Sequence, residues 1–388
     1  MTRAAGVAGG RLLERIEREL DELTAAGLRR HLALPDGVDF SSNDYLGLAR
    51  DEGFRGEVVE RVRAAAERGE PLGAPASRLL RGHLEIHERV EQRLAAFKGA
   101  EAALVLPSGW QANATLIGGL VRAGDRVLSD RLNHASLIDA LRASGCRRVV
   151  VPHLDLAALA RELDRAAPAG ETFVVVESLY SMDGDLAPLS EIARECERAG
   201  AHLLVDEAHA TGLYGEARGS GRIEACRVES EVLASVTTFG KALALSGAAI
   251  AGPRRLIELL VQRARPLVFS TAVPPLLLLA LEVALDRVER EPERRRRLHA
   301  NARRLRARLA GAGLGVAPEG SPIVPVIVGG NERAVAVAER IRARGLDVRA
   351  VRPPTVPEGT ARLRVSVHAS HRDDELDALA DALAEELR

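Results

Sequence analysis

Two lysines, Lys98 and Lys241, stand among 54 basic residues, and arginine carries the rest of the positive charge. A guanidinium keeps its proton and cannot condense with a carbonyl, whereas a desolvated ε-amine can shed its proton and become a nucleophile. Any amine chemistry in this chain falls to those two residues. Lys98 closes an amphipathic stretch in Ala95-Ala96-Phe97-Lys98-Gly99-Ala100 and reads as a solvated cation near a helix C-terminus. Lys241 follows an apolar, β-branched run in Val236-Thr237-Thr238-Phe239-Gly240-Lys241, where a strand ends and a loop can carry function. A composition rich in Ala, Arg, Gly and Leu offers a plainer account, in which both lysines are left over from codon usage.

A second chemical group follows the strand Leu203–Val205 as Asp206-Glu207-Ala208-His209. These four residues spell a helicase-type Walker B box, but the only Gly-Lys pair, Gly240-Lys241, has Ser235 where a P-loop needs glycine and Ala242 where it needs Ser or Thr. No HExxH accompanies them, so no metal site is expected, and no GxSxG elbow marks a hydrolase. An acid, a histidine and a lysine then remain at separate strand ends of a parallel sheet, where α/β folds place their ligands. That set suits pyridoxal phosphate, which takes a lysine for its Schiff base, a carboxylate that keeps the pyridine nitrogen protonated, and a phosphate cradle. Asp206 serves the second role, because a charge-assisted hydrogen bond to a buried pyridinium is worth roughly 1.5–3 kcal/mol. On spacing alone it could equally cap a helix.

Two further segments fit the same cofactor. Ser108-Gly109-Trp110-Gln111-Ala112-Asn113 follows a strand and opens a helix, so the amides of Gly109 and Trp110 lie at the positive end of a helix dipole, where a phosphate fits; many such turns bind nothing. His134, in Asn133-His134-Ala135-Ser136, sits at another strand-to-helix junction, where its ring could lie flat on a planar cofactor or be a satisfied surface histidine.

The elements that position these residues alternate. Helix to Lys98, strand Ala102–Leu106, helix after Gly109, strand Arg126–Ser129 and helix Ser136–Ala143 are followed by continuous apolar strands at Arg148–Val151, Phe173–Val176, Leu203–Val205 and Val232–Val236. Strands apolar on both faces point to a mostly parallel sheet covered by helices, a three-layer α/β domain. Beyond about residue 285 come a basic helix (Arg294–Arg308), strand Ile323–Val328, helix Arg333–Arg344, strands Val348–Val351 and Arg362–Val367, and helix Asp373–Leu387, a small α+β domain. The division expected is residues 1–45 as an N-terminal helix and extended segment, 46–285 as the large domain and 286–388 as the small one. The arginine run has flanking acids and leucines at helical spacing, which favours a solvated helix face over a nucleic-acid patch.

Bulk properties narrow the class. A net charge of -1 over 388 residues argues against whole-protein attraction to nucleic acid or anionic membrane. Cys146, Cys196 and Cys226 are few and lack CxxC spacing, as in a reducing compartment, so the cytoplasm is expected. Arg3, Arg11, Arg15 and Arg18, interleaved with acids, interrupt any signal-peptide core, and Leu276–Leu279 is a short core segment rather than a span.

Taken together, Phe40-Ser41-Ser42-Asn43-Asp44-Tyr45-Leu46-Gly47-Leu48, Asn133-His134-Ala135-Ser136, Ser181-Met182-Asp183-Gly184-Asp185, Asp206-Glu207-Ala208-His209 and Thr238-Phe239-Gly240-Lys241 resemble, in order and approximate spacing, the α-oxoamine synthases. These are fold-type I pyridoxal-phosphate acyltransferases that condense an amino acid with an acyl thioester, and the likeness covers nearly the whole chain. Arg352-Pro353-Pro354-Thr355-Val356-Pro357 and Gly359-Thr360-Ala361-Arg362-Leu363-Arg364 are most similar to the biotin-pathway member. The resemblance implies L-alanine and a pimeloyl thioester, of CoA or an acyl carrier protein, as substrates. It assigns Lys241 to the Schiff base and to removal of the α-proton, His134 to stacking on the ring, Asp206 to the pyridine nitrogen, and Ser181 and His209 to the phenolic oxygen. Thr238 and the turn at Ser108, Gly109 and Trp110 fall to the phosphate, with Ser270 and Thr271 reaching the phosphate of a partner subunit, which implies a homodimer with shared sites. Asn43 and Arg364 fall to the amino-acid carboxylate, and Arg29 and Arg352 to the acyl chain or thioester.

Departures from the family keep other readings open. Gly73-Ala74-Pro75-Ala76-Ser77-Arg78 replaces a glycine-rich stretch with stiffer backbone, and Ala210 and Ala244 stand where glycine is common. A sister synthase using glycine or serine with another acyl-CoA is one alternative, and a non-catalytic partner subunit that keeps the fold is another.

Overall fold

A computed structural model describes residues 10–166 and 169–388; Arg3 of the N-terminal charge pattern lies outside the described residues. The chain opens with α1 (Gly10–Ala25), β1 (Val38–Asp39) and α2 (Glu52–Glu67), whose N-cap Asp51 accepts the Phe54 amide at 2.7 Å. A single π turn (Arg78–Gly82) leads to α3 (Glu85–Lys98), which stops at Gly99 in the left-handed conformation (φ 66°), a position that suits a residue without Cβ.

The large sheet is then laid down in order: β2 (Ala102–Leu106), α4 (Gly109–Leu120), β3 (Arg126–Asp130), α5 (Ala135–Ser144), β4 (Arg147–Val151), α6 (Leu156–Leu163), β5 (Thr172–Glu177), α7 (Leu189–Ala199), β6 (His202–Asp206), α8 (Arg222–Cys226), β7 (Val232–Thr238) and β8 (Ala248–Gly252). Its strand order is β2-β8-β7-β6-β5-β3-β4. Only β8 runs against the rest, pairing antiparallel with β2 and β7. The other strands point the same way, so their carboxyl ends share one edge, and β3, β5 and β8 are buried along their whole length, as a sheet covered on both faces requires.

Helices α9 (Arg254–Arg263), α10 (Arg265–Val268) and α11 (Pro275–Arg290) follow, and Leu276–Leu279 opens α11, where Leu278, Leu279 and Leu281 are buried. The remaining elements are α12 (Pro292–Gly311), β9 (Ile323–Gly329), α13 (Asn331–Ala343), β10 (Leu346–Asp347), β11 (Arg349–Val351), β12 (Ala361–Ser366) and α14 (Asp373–Leu387). β11, β12 and β9 form an antiparallel sheet, and β1 pairs with β10, so the segment that carries Asn43 is laid against the C-terminal sheet. The Phe40 carbonyl takes the Ser366 amide at 2.8 Å, and the Tyr45 carbonyl takes the Ala369 amide at 2.7 Å.

Two expectations need correction. The basic helix α12 is not simply a solvated face. Arg295 and Arg306 are buried, with Arg306 Nη2 on the Ile323 carbonyl at 2.7 Å, while Arg304 and Arg308 pair with Asp377 and Asp381 of α14. Lys98 is likewise not solvated. Its ammonium is 2.6 Å from Glu207 Oε2 and donates to the Ser220 carbonyl at 2.7 Å, and the paired side chains are 1% and 0% exposed. The loop carrying residues 218–222 folds over the end of α3 and encloses what one-dimensional position marks as a helix-end cation. Glu207 also accepts the Arg222 amide at 2.6 Å and the Ile223 amide at 3.1 Å, so one carboxylate ties α3, the end of β6 and the start of α8 together.

Removing one partner of such a pair strands the other charge in the core, which typically costs 3–5 kcal/mol. Lys98→Met is therefore expected to lower the unfolding free energy of the cofactor-free protein by about 3–5 kcal/mol in urea titrations. Lys98→Met with Glu207→Gln is expected to regain more than half of that loss; a double variant no better than the single one would refute the pairing.

Candidate active site

The common carboxyl edge of the sheet gathers the chemistry. β6 ends at Asp206 and β5 at Glu177, which stand opposite each other in the parallel ladder. β7 ends at Thr238, three residues before Lys241; β2 runs out toward Ser108 and Gly109; and the turn after β3 carries His134. With Asn43, these residues line a cavity of about 310 Å³. It adjoins an open cleft of about 840 Å³ that shares Asn43, Gly240, Lys241 and Leu245.

Lys241 donates to Thr238 Oγ1 at 3.3 Å. Burial draws its ammonium below the ordinary lysine range; Asp206 and Glu177 oppose that shift and the Arg364 guanidinium adds to it. Asp206 accepts the Ala208 amide on Oδ1 and the Asn113 amide group on Oδ2, both at 2.8 Å, so a buried carboxylate is held by donors and turned into the cavity. Burial also lowers His134, whose ring meets Trp110 edge-on at 6.2 Å between centroids.

His209 is enclosed, and burial, aided by the positive charges of Lys241 and Arg364, drives it well below the usual histidine range. Its Nδ1 lies 2.9 Å from the Tyr45 hydroxyl, which also accepts from Arg364 Nη2 at 3.2 Å. Arg364 further donates to Asn43 Oδ1 at 3.0 Å, to Ser366 Oγ at 2.8 Å and to the Ser181 carbonyl. Among the described residues it has no carboxylate partner, so a buried guanidinium stands beside the cavity with its charge unpaired.

At the first turn of α4, the Ser108 hydroxyl caps the Gln111 amide at 3.2 Å, and the amides of Gly109 and Trp110 have no intrahelical acceptor. A Cβ on Gly109 would come within 2.5 Å of Thr238 Cγ2, so only glycine lets the helix start approach the end of β7 this closely.

This donor set fits pyridoxal phosphate. A lysine amine with a lowered pKa, a buried carboxylate facing the cavity, a helix start free of side-chain bulk and a flanking imidazole are all present. Buried Asn113 Oδ1 and Glu177 Oε1, which have no partner among the described residues, leave polar capacity at the same place.

Not every expected residue meets there. Ser181 reaches the network through its carbonyl, not through its hydroxyl. Ser270 accepts from Gln111 Nε2 at 3.4 Å, at the start of α4, and Thr271 is exposed. Arg29 is exposed and hydrogen-bonds Thr24, while Arg352 donates to the Gly27 carbonyl just past the end of α1; neither lines the cavity. Four residues went unassigned on sequence grounds: Tyr45, Asn113, Ser136 and Glu177. Glu177 is pushed well above the carboxylate range by burial and then by Asp206. An acid closing an apolar strand was the available signal.

The sequence matches the model of the family described as aminotransferase class I and II over residues 35–383. It is 47% identical over 386 residues to an 8-amino-7-oxononanoate synthase from Anaeromyxobacter dehalogenans, covering 96% of this chain and 95% of that one. Among solved structures, the fold superposes on a serine palmitoyltransferase from S. paucimobilis with bound PLP-myriocin aldimine, with TM-score 0.86, 27% identity and coverage of 96% and 97%. An 8-amino-7-oxononanoate synthase from Francisella tularensis superposes with TM-score 0.77 and 25% identity, covering 90% of this chain and 97% of that one.

Two local features carry predictions. Ala244, whose amide donates to the Lys241 carbonyl at 2.8 Å, adopts φ 54°, a region costly for a residue with Cβ. Ala244→Gly is expected to raise the unfolding free energy by about 0.5–1 kcal/mol in denaturant titrations, and a loss of stability would overturn the strain assignment. His153 bridges Asp130 at 2.9 Å and Asp185 at 3.0 Å, pinning the turn that holds Ser181 to the end of β3. Burial opposes its charge, but the two carboxylates outweigh burial and push it up to about 9. A folded pKa raised above the unfolded 6.5 stabilises fully below pH 6.5 and is lost as pH rises through about 9. His153→Gln is thus expected to cost about 1–2 kcal/mol at pH 6, allowing for the 43% exposed Asp185 partner, with the difference from wild type closing by pH 9.5.

Proposed function

The chain belongs to the aminotransferase class I and II family, and from that premise we propose that it condenses L-alanine with a pimeloyl thioester, giving 8-amino-7-oxononanoate, CO2 and free thiol for biotin synthesis. The observation that carries this reading is the pairing of Lys241, its amine brought below the ordinary range, with Asp206, a buried carboxylate aimed into the same cavity. Pyridoxal phosphate, when bound, supplies the electron sink that stabilises negative charge at the amino-acid Cα.

Each side chain then has a task. Lys241 would hold the cofactor, and its amine, drawn below the ordinary lysine range, would take the alanine Cα proton, which a lysine of ordinary pKa near 10.4 would seldom do at neutral pH. Asp206, its carboxylate held by the Ala208 amide and the Asn113 side chain, would face the ring nitrogen. His134 would cover the ring face, and His209 and Ser181 would attend the phenolic oxygen. The Gly109 and Trp110 amides, the Ser108 turn and the Thr238 hydroxyl cradle the phosphate. Arg364 and Asn43 receive the alanine carboxylate, the anion that the unpaired guanidinium lacks. Arg29 and Arg352 meet the acyl chain or its CoA or carrier-protein thioester.

The active form is a homodimer in which Ser270 and Thr271 reach the partner's phosphate site. Leu12, Leu13, Ile16, Leu20 and Leu23 are all exposed along α1, and Phe269, next to Ser270, is 73% exposed, an apolar surface that a second copy would cover. Its place is the cytoplasm, where three free cysteines stay reduced.

Thiol release by the PLP-loaded protein tests the reading. Turnover is expected with L-alanine and pimeloyl-CoA and not with glycine and acetyl-CoA, and Lys241→Ala is expected to lower it by about 10²–10⁴-fold or more. Turnover with the second pair alone would move the chain to a sister activity, and a wild-type protein that takes up no cofactor would leave it a non-catalytic partner.

A further inference from the structure

The polar groups beneath the cavity form a chain whose hydrogen positions can be deduced. Asn113 sends one amide hydrogen to Asp206 Oδ2 at 2.8 Å and the other to Ser136 Oγ at 2.9 Å. Turning this amide over would set Asn113 Oδ1 against the Asp206 carboxylate, acceptor facing acceptor, so the orientation is fixed. With its oxygen accepting from Asn113, Ser136 has one hydroxyl hydrogen to give, and its other side-chain neighbour is His134 Nδ1 at 2.8 Å. The Ser136 amide converges on the same nitrogen at 3.2 Å. Two donors on Nδ1 leave no room for a proton there. The proton of a neutral ring must then sit on Nε2, and an imidazolium, which donates from both nitrogens, is excluded while the chain is intact.

We infer that Asn113 and Ser136 are positioning residues that lock His134 as the neutral tautomer protonated at Nε2, and that the same Asn113 amide holds Asp206 as a charged acceptor. Both side chains are buried, Asn113 at 2% and Ser136 at 1% exposure. The titratable groups that face His134 are Asp206 from β6, Lys241 from the loop after β7, Glu177 from the end of β5 and His209 after β6. Asp206 favours a charged imidazole and Lys241 disfavours it, so without the chain the ring is freer to take a second proton beside Asp206. Kept neutral, His134 puts no second cation against a protonated pyridine ring and does not compete with that ring for the Asp206 carboxylate. The Nε2–H is then the ring's only donor, with its direction set from below.

This inference rests on the reading of the cavity as a pyridoxal-phosphate site, yet the tautomer belongs to the chain itself and is measurable without cofactor. Nitrogen-15 spectra of histidine-labelled full-length protein, cofactor-free and loaded, give the protonated nitrogen and the pKa of His134, assigned by its loss in His134→Asn. Wild type is expected to show the neutral Nε2–H form across pH 6–8. Ser136→Ala removes a donor to the neutral ring and is expected to raise its pKa by about one unit, whereas Ser136→Thr, which keeps the hydroxyl, should restore the wild-type value. Asn113→Leu frees the hydroxyl to turn and should yield mixed tautomers. In the loaded protein, a His134 that charges at higher pH sets a cation beside the cofactor imine, so the pH profile of the visible absorbance should move downward with Ser136→Ala and return with Ser136→Thr. A wild-type ring protonated at Nδ1, or one that titrates near 6.5, would overturn the inference on wild type alone, even if no variant folds. Failure of the wild type to take up pyridoxal phosphate would refute the functional reading and leave the tautomer assignment standing.

Discussion

Three carboxyl groups, Glu177, Asp206 and Glu207, crowd the carboxyl ends of two neighbouring strands, and three like charges cannot be buried together without compensation. The fold treats each differently. Glu207 turns away from the cavity onto Lys98 and two backbone amides, Glu177 is forced toward its neutral form by burial and by its neighbour, and Asp206 faces the cavity, held by donors alone. Much else follows from this division. The loop over α3 closes because Glu207 anchors it, and α4 must start where Asn113 can reach Asp206.

Parallel strands make such a division possible. Because β3, β5, β6 and β7 all end at one edge, residues more than a hundred positions apart, such as His134 and Lys241, come to one cavity without any long loop. The antiparallel β8 closes the sheet between β2 and β7, which brings the turn at Ser108–Gly109 against Thr238. The C-terminal sheet supplies the rest, since β12 holds Arg364 and the strand pairing of β1 with β10 lays Asn43 beside it.

Much of this was legible in sequence, for a physical reason: a strand buried on both faces must be apolar throughout, so a polar residue at its end stands out. Asp206, Thr238, Lys241 and His134 all carry that mark. Glu177 carries it too, but its meaning depends on the register that sets it opposite Asp206, which sequence does not print. Asn113 and Ser136 fall in the opening turns of helices, where small polar residues usually act as caps, so their inward role was hidden. Lys98 was misread because helix-end position is a local property, while its burial depends on a loop more than a hundred residues away. The antiparallel β8 escaped notice because Ala248–Gly252 is short and made of small residues with little strand signature.

Enclosure of Lys98 has a further consequence. Of the chain's two ε-amines one is sealed against Glu207 and the other lies in the cavity, so the outer surface, for all its arginine, presents no lysine to an aldehyde. An aldehyde cofactor offered in excess meets one open ε-amine per chain. Glycation at lysine, lysine acetylation and lysine-directed cross-linking therefore find no ε-amine on the exterior to modify.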